Sequence, residues 1–173
     1  MKKLSVLLFT VLLAGLFILS SCSDSDDNGT NNNGNQLPIV GSWVSEGQNV
    51  APLLLSLGIV KIEATFNDDN TYTVVSYDTA MAPTTLTGTY TAEKSAVDTI
   101  YTITVNQTSP TALTSQGIFS VNESKNPAEM LYEIVQTEPS IGATPPTPEA
   151  GFGSTNGGAL GTWNIQKYLK VVN

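Results

Sequence analysis

The chain of 173 residues has no histidine, no arginine and a single cysteine. Without histidine, no Ser-His-Asp triad, Cys-His pair or imidazole metal site can be assembled. One cysteine cannot staple the fold with a disulfide of its own. The side chain that dominates base and phosphate contacts is missing, and acids outnumber lysines fifteen to seven, so the field repels phosphate and argues against nucleic acid as a partner. Two chemistries survive these absences: paired carboxylates acting on a glycoside, and lysine-based nucleophilic or proton-transfer work. The acids are scattered beside turns or on polar strand faces, where a solvated carboxylate is the default. The expectation is a protein that is not an enzyme and that uses no cofactor. Asp68-Asp69-Asn70 could offer oxygens to a hard cation, but six to eight ligands are needed and no loop pattern supplies them, so the stretch reads as a hairpin turn and no metal site is expected.

Long apolar runs are scarce as well. The one present, Leu4 to Leu19, follows Lys2 and Lys3, is about sixteen residues long and is too short for a comfortable membrane span, so it reads as an export signal. It ends in Leu19-Ser20-Ser21-Cys22, which matches the bacterial lipobox pattern, whose cysteine becomes the lipidated first residue. That explains the lone thiol: Cys22 is expected to carry acyl chains such as palmitate, each buried methylene contributing about 0.8 kcal/mol of membrane attachment. Ser23 to Gln36 hold no aliphatic residue and therefore no apolar surface to offset the entropy of ordering. This reads as a tether of roughly 20 Å root-mean-square length. The acids Asp24, Asp26 and Asp27 resemble the export signal that sends lipoproteins of Bacteroidota-type bacteria to the exterior of the outer membrane. Without its first 21 residues the chain keeps five lysines and fifteen acids, a charge of 5 − 15 = −10. The expected organisation is a signal at 1–21, a tether at 22–36 that begins with the lipidated cysteine, and one domain at 37–173.

Nearly all of that domain reads as strand. In Thr84 to Ala92, Leu86, Gly88, Tyr90 and Ala92 alternate with threonines, the period of a sheet with one buried and one wet face. Val60, Ile62, Ala64 and Phe66 alternate in the same way, as do Tyr101, Ile103 and Val105, and Leu113, Phe119 and Val121. Turn signals between the runs predict about eight strands, at 41–46, 59–67, 71–78, 84–92, 99–106, 113–121, 130–137 and 163–172. Short loops imply antiparallel neighbours, and an eight-stranded meander can close into an up-and-down barrel, which removes exposed edges. A β-sandwich is the alternative. Two connections are long. Pro139 to Gly161, rich in Pro and Gly, is expected to arch over one end of the barrel. Asn49 to Gly58 is expected to hold a short helix begun by Pro52 and ended by Gly58. Its Leu53, Leu54, Leu55 and Leu57 leave it almost no polar face, so they are expected to cover the barrel mouth as a lid.

Gly41-Ser42-Trp43, then Phe66-Asn67-Asp68-Asp69-Asn70-Thr71-Tyr72, then Gly88-Thr89-Tyr90 occur in that order and together resemble the lipocalin-like domain of small Bacteroidota-type lipoproteins. The resemblance implies a small antiparallel barrel whose base is closed by Trp43, with a cavity that takes up apolar small molecules. The last-strand arginine of true lipocalins is absent, leaving Lys167 or Lys170 to stand against that tryptophan. A second Gly-x-Trp, Gly161-Thr162-Trp163, is expected to pair the last strand with the first, making Trp43 and Trp163 core anchors. Asp78-Thr79-Ala80 and Asp98-Thr99-Ile100 resemble three-residue O-glycosylation sites of the same bacteria, at Thr79 and Thr99.

Three functions follow as expectations. The first is a lipid-anchored, non-enzymatic binding protein of the outer membrane, surface-exposed or periplasm-facing, with the acidic tract favouring the cell exterior, that takes a small apolar or amphipathic molecule or a short glycan. Leu53, Leu54, Leu55, Leu57, Tyr72, Tyr90, Tyr101 and Phe119 are its candidate lid or ligand contacts. The second is a structural or accessory subunit that docks on a larger envelope protein complex through its threonine-rich outer face. The third is a carboxylate glycosidase. An open cavity favours the first, a barrel filled by Phe66, Tyr72, Tyr90, Tyr101 and Phe119 the second, and two facing carboxylates in a cleft the third.

Overall fold

The computed structural model describes residues 36–172. The expected export signal, Cys22 and nearly all of the tether lie outside the described residues. Eight antiparallel strands follow one another around a closed barrel: β1 (Gly41–Glu46), β2 (Ile59–Phe66), β3 (Thr71–Asp78), β4 (Pro83–Lys94), β5 (Ile100–Ser109), β6 (Leu113–Asn122), β7 (Glu129–Glu138) and β8 (Gln166–Lys170). Trp43 opposite Lys170 and Val44 opposite Leu169 join β1 to β8 and close the circle. The up-and-down barrel is therefore the architecture, and the sandwich alternative is set aside.

Local chemistry places the turns. Asn70 has a φ of 65°, and the Asp69 carboxylate accepts hydrogen bonds from the Thr71 N–H at 2.9 Å and the Thr71 hydroxyl at 2.6 Å, which ties the β2–β3 hairpin. At the other end of β3, Asp78 accepts from the N–H groups of Ala80 and Ala82, an Asx-type closure of the β3–β4 turn. Inside the strands, Gly88 and Gly117 mark close approach: a Cβ on either would run into the backbone carbonyl of Asn106 or Glu133 respectively.

The β2–β3, β4–β5 and β6–β7 turns share one end of the barrel, and that end is filled. Trp43 is fully buried and donates its indole N–H to the Ile39 carbonyl at 2.6 Å, so the segment entering β1 plugs the base. The Lys170 ammonium lies 5.4 Å from the Trp43 ring centroid, within cation–π range. Lys170 is thus the lysine that stands against the tryptophan, while Lys167 pairs with Glu129 at 3.1 Å. Phe66 meets Tyr90 edge to face at 5.2 Å, Tyr101 stacks on Phe119 at 5.0 Å, and Ile103 and Met130 complete the packing. The Tyr90 hydroxyl donates to the Asn67 carbonyl, so its polar end is satisfied at the turn.

Two expectations near the C-terminus are corrected. The last strand is five residues, not ten, and Trp163 sits before it in a 3-10 turn, Gly161–Asn164, with 56 % of its surface exposed. Trp163 is not a core anchor. The reason is geometric: β8 pairs with β7 only over Glu129–Tyr132, so the chain around residue 163 lies beyond the ladder and faces solvent. The long connection also does more than arch over an end, because part of it lies against the outer side of β7. There Glu133, wholly buried, accepts hydrogen bonds from the Gly153 N–H at 2.6 Å, the Thr155 N–H at 3.1 Å and the Thr155 hydroxyl at 2.5 Å. Period-2 reading puts Glu133 on the outward side, between inward Tyr132 and Ile134, and without the connection it would be a solvated acid.

Candidate functional site

Moving from the base toward the opposite end, aromatic inward side chains give way to smaller ones on β3 and β6. Along β3 they run Tyr72, Val74, Ser76; along β6 backwards they run Phe119, Gly117, Ser115, Leu113. Constant barrel girth with smaller fillers leaves space, and the mouth half holds a cavity of about 350 Å³. Phe66, Tyr72, Tyr132 and Tyr168 form its floor. Ile62, Val74, Leu86, Val105, Leu113 and Ile134 form most of its wall, with Ser76 and Ser115 among them. Ala51, Leu54 and Ile59 close one side of the rim, and Gln107, Gln136, Asn164 and Gln166 lie on the rest.

The rim amides are employed in holding the connections. Gln166 accepts from the Ala51 N–H at 2.8 Å and donates to the Ser45 hydroxyl, which fixes the approach to the helix α1 (Pro52–Ser56). Asn164 donates to the Ile134 carbonyl at 3.0 Å, at a stretch of β7 that β8 no longer reaches. Gln136 donates to the Pro139 carbonyl and Gln107 to the Thr111 carbonyl. Each amide satisfies backbone that a sheet ladder leaves free.

The floor differs from the rim. Tyr72, Tyr132 and Tyr168 keep 4 %, 8 % and 5 % of their surface, yet among the described residues none of their hydroxyls meets a hydrogen-bond partner. No fully enclosed side-chain polar atom among those residues is left unsatisfied, so the three hydroxyls reach the cavity surface. Phe66 stands between them, 6.2 Å from the Tyr72 ring and 6.2 Å from the Tyr132 ring, and Tyr132 meets Tyr168 edge to face at 6.1 Å. Burial pushes the Tyr72 phenol up to about 12. The same desolvation holds Tyr132 and Tyr168 far above the ordinary phenol range, and the mutual proximity of the three raises Tyr132 further. All three are neutral donors at physiological pH. Among the described residues no Asp, Glu or Lys lines the cavity.

The residues singled out from sequence divide. Leu54 and Tyr72 line the cavity. Tyr90, Tyr101 and Phe119 lie below the floor, packed in the base, because inward positions at that depth are filled from every strand. Of the leucines, Leu53 is half-buried, while Leu55 and Leu57 are 40 % and 70 % exposed. The helix of five residues makes less than two turns, and of the four leucines it lays only Leu54 along the cavity. The four-leucine lid is thus reduced to one. Thr79 and Thr99 are exposed at turns. The reading from sequence missed Tyr132, Tyr168, Ser115 and Gln166. Period-2 alternation through Met130, Tyr132 and Ile134, and through Gln166, Tyr168 and Lys170, was the signal that could have found them. Among the described residues no three carboxylate or thiol side chains converge as an ion site. Comparison with protein-family models, with curated proteins and with solved structures finds no match to this chain.

Proposed function

We propose that the protein is a non-enzymatic binding module, held at the cell envelope by a lipid on Cys22, that takes a small apolar or amphipathic molecule into its barrel. One observation carries this reading: the barrel is filled at its base and hollow at its mouth, with a preformed, mainly apolar cavity of about 350 Å³. That lies within the size range of small-molecule sites, which are concave, apolar and equipped with a few placed polar groups. The wall has no carboxylate pair to cleave a glycoside, and its apolar majority suits a hydrocarbon body better than a sugar. Kinship with lipocalin-like lipoproteins and an outer-membrane, outward-facing location belong to the same proposal, resting on the Gly-x-Trp opening, the lipobox and the acidic tract.

Native mass spectrometry of the protein purified from its own cell tests the reading, since a retained small molecule would identify itself by mass. Titration with an apolar fluorescent probe is the second arm. Saturable one-to-one binding supports the proposal. Neither a retained molecule nor probe binding at any concentration would hand the case to the accessory-subunit reading. For the anchor, Cys22→Ser should move the protein into the soluble fraction, and continued attachment that only detergent releases would refute lipidation.

A further inference from the structure

We infer that the cavity admits its ligand as an uncharged molecule, polar end first, with a ligand oxygen seated among the hydroxyls of Tyr72, Tyr132 and Tyr168; this rests on the binding reading above. The argument begins with what the wall offers a charge. Among the described residues no cationic or anionic side chain lines the cavity, so an ionised group entering it would shed its hydration and meet no counter-charge from them. The titratable groups facing the floor are phenols alone: the three on its surface and Tyr90 beneath Phe66. Desolvation holds them all protonated, so the floor supplies neutral O–H groups that can donate or accept.

Orientation follows from where free hydrogen-bonding capacity lies. At the rim, Asn164 and Gln166 each make two amide N–H bonds within the protein, and Gln107 and Gln136 each give one N–H to a backbone carbonyl and keep a second. At the floor, three hydroxyls on side chains more than nine-tenths buried have no hydrogen-bond partner among the described residues. Between the two lies a mainly apolar wall, interrupted by the hydroxyls of Ser76 and Ser115. A hydroxyl, carbonyl or ether oxygen gains most by travelling to the bottom, where several donors converge, while its hydrocarbon body replaces water along Val74, Val105 and Ile134. The volume is on the order of a dozen water molecules at about 30 Å³ each, which limits the occupant to one short chain or a compact ring system.

The experiment uses protein carrying Cys22→Ser, purified without detergent, and three ligands that share a ten-carbon chain: 1-decanol, decanoate and decyltrimethylammonium. Each competes with an uncharged aromatic hydrocarbon probe. At neutral pH 1-decanol should displace the probe, and the two ions should need at least about a hundredfold higher concentration, the difference that an uncompensated buried charge imposes. Decanoic acid should regain affinity on acidification, losing about tenfold per pH unit above its own pKa because only the neutral acid enters. Tyr72→Phe, Tyr132→Phe and Tyr168→Phe should each weaken 1-decanol by about threefold to tenfold, the span of one hydrogen bond. The same variants should not lower the thermal midpoint of the free protein, since the deleted hydroxyls have no hydrogen-bond partner among the described residues to lose. Decanoate equal to 1-decanol at neutral pH would overturn the neutrality requirement. Tyrosine variants that bind 1-decanol like the parent would overturn the seat. Failure of the hydrocarbon probe itself to bind would instead remove the binding reading on which both rest.

Discussion

Glu133 offers the sharpest test of how the barrel wall is completed. Its carboxylate is fully buried on the outer side of β7 and receives three hydrogen bonds from Gly153 and Thr155, while the ion pairs among the described residues, Lys61–Glu63 and Lys167–Glu129, do not include it. Hydrogen bonds to a charged group contribute about 1.5–3 kcal/mol each, but they are not additive here because one carboxylate serves all three. Glu133→Ala removes the acceptor and leaves the part-buried N–H of Gly153 and the buried N–H of Thr155 without it; the Thr155 hydroxyl keeps Asn164 at 3.3 Å. The expected loss is about 3–5 kcal/mol, a large share of the 5–15 kcal/mol typical of a domain. Glu133→Gln keeps the shape and one acceptor oxygen but turns an NH2 toward N–H donors, so it should cost roughly half as much. Equilibrium urea unfolding would read both, as a fall in midpoint of about 1–3 M for the alanine variant with its slope unchanged. Amide hydrogen exchange would localise the effect, with protection lost first at Gly153 and Thr155. A loss below about 0.5 kcal/mol, the level of an ordinary surface substitution, would refute the clasp.

Leu54→Ser should lower stability by roughly 1–2 kcal/mol and raise the uptake of an apolar probe, because Leu54 closes part of the rim, whereas Leu57→Ser should do neither, its side chain being 70 % exposed. Equal effects of the two variants in probe titration and thermal melting would count against this placement. In tryptophan emission, Trp163 should be readily quenched by acrylamide and Trp43 should not, so Trp163→Phe should leave a blue-shifted, poorly quenched spectrum. Alkaline titration gives the fourth. Tyr72, Tyr132 and Tyr168 have phenols raised above their unfolded range, so their contribution to stability is complete below about pH 10 and is lost as the pH climbs toward the folded values, about 12 for Tyr72. Unfolding free energy should therefore fall from about pH 10 upward, and the phenolate absorbance of these tyrosines should appear only as the fold opens. A flat stability profile across that range would mean that the floor is wetter than its burial indicates.

The strands were legible because their signals are local. Alternation along Val60 to Phe66 and Leu86 to Ala92 fixes which side chains share a face, and Asn70 and Asp78 mark turns by their own chemistry. The last strand was not, since Gly161-Thr162-Trp163 looks like the opening of β1 but lacks a partner: β7 has left the ladder by Glu133. Whether a glycine-tryptophan pair enters a core depends on what lies across from it, and that is non-local. The lid was misjudged for a related reason. Four leucines within five residues signal burial, but the helix is too short to bury more than a side of itself, and no residue count shows how wide the mouth is. For the cavity, sequence named Tyr72 and Leu54 but set Tyr90, Tyr101 and Phe119 beside them and left out Tyr132 and Tyr168. Depth in the barrel separates Tyr90 and Phe119, which fill the base, from Tyr132 and Tyr168, which pave the floor, and depth is set by strand stagger around the closed circle.

That stagger divides the barrel's labour. A domain of this size has one core, and a lumen emptied along its full length would leave too little buried surface to offset the entropy of ordering. The base concentrates the large side chains: Trp43, Phe66, Tyr90, Phe119 and Met130 are all at most 3 % exposed. Small and polar fillers such as Ser76 and Ser115 sit toward the mouth, where each gives up apolar contact. The rim amides and Glu133 then hold the connections with hydrogen bonds, which need no occupied lumen. The mouth can consequently take up a molecule or lose one without disturbing the packing that keeps the barrel closed. Substitutions above the floor should alter binding more than stability, and substitutions below it the reverse, with Phe66 at the boundary, touching Tyr90 on one side and Tyr72 and Tyr132 on the other.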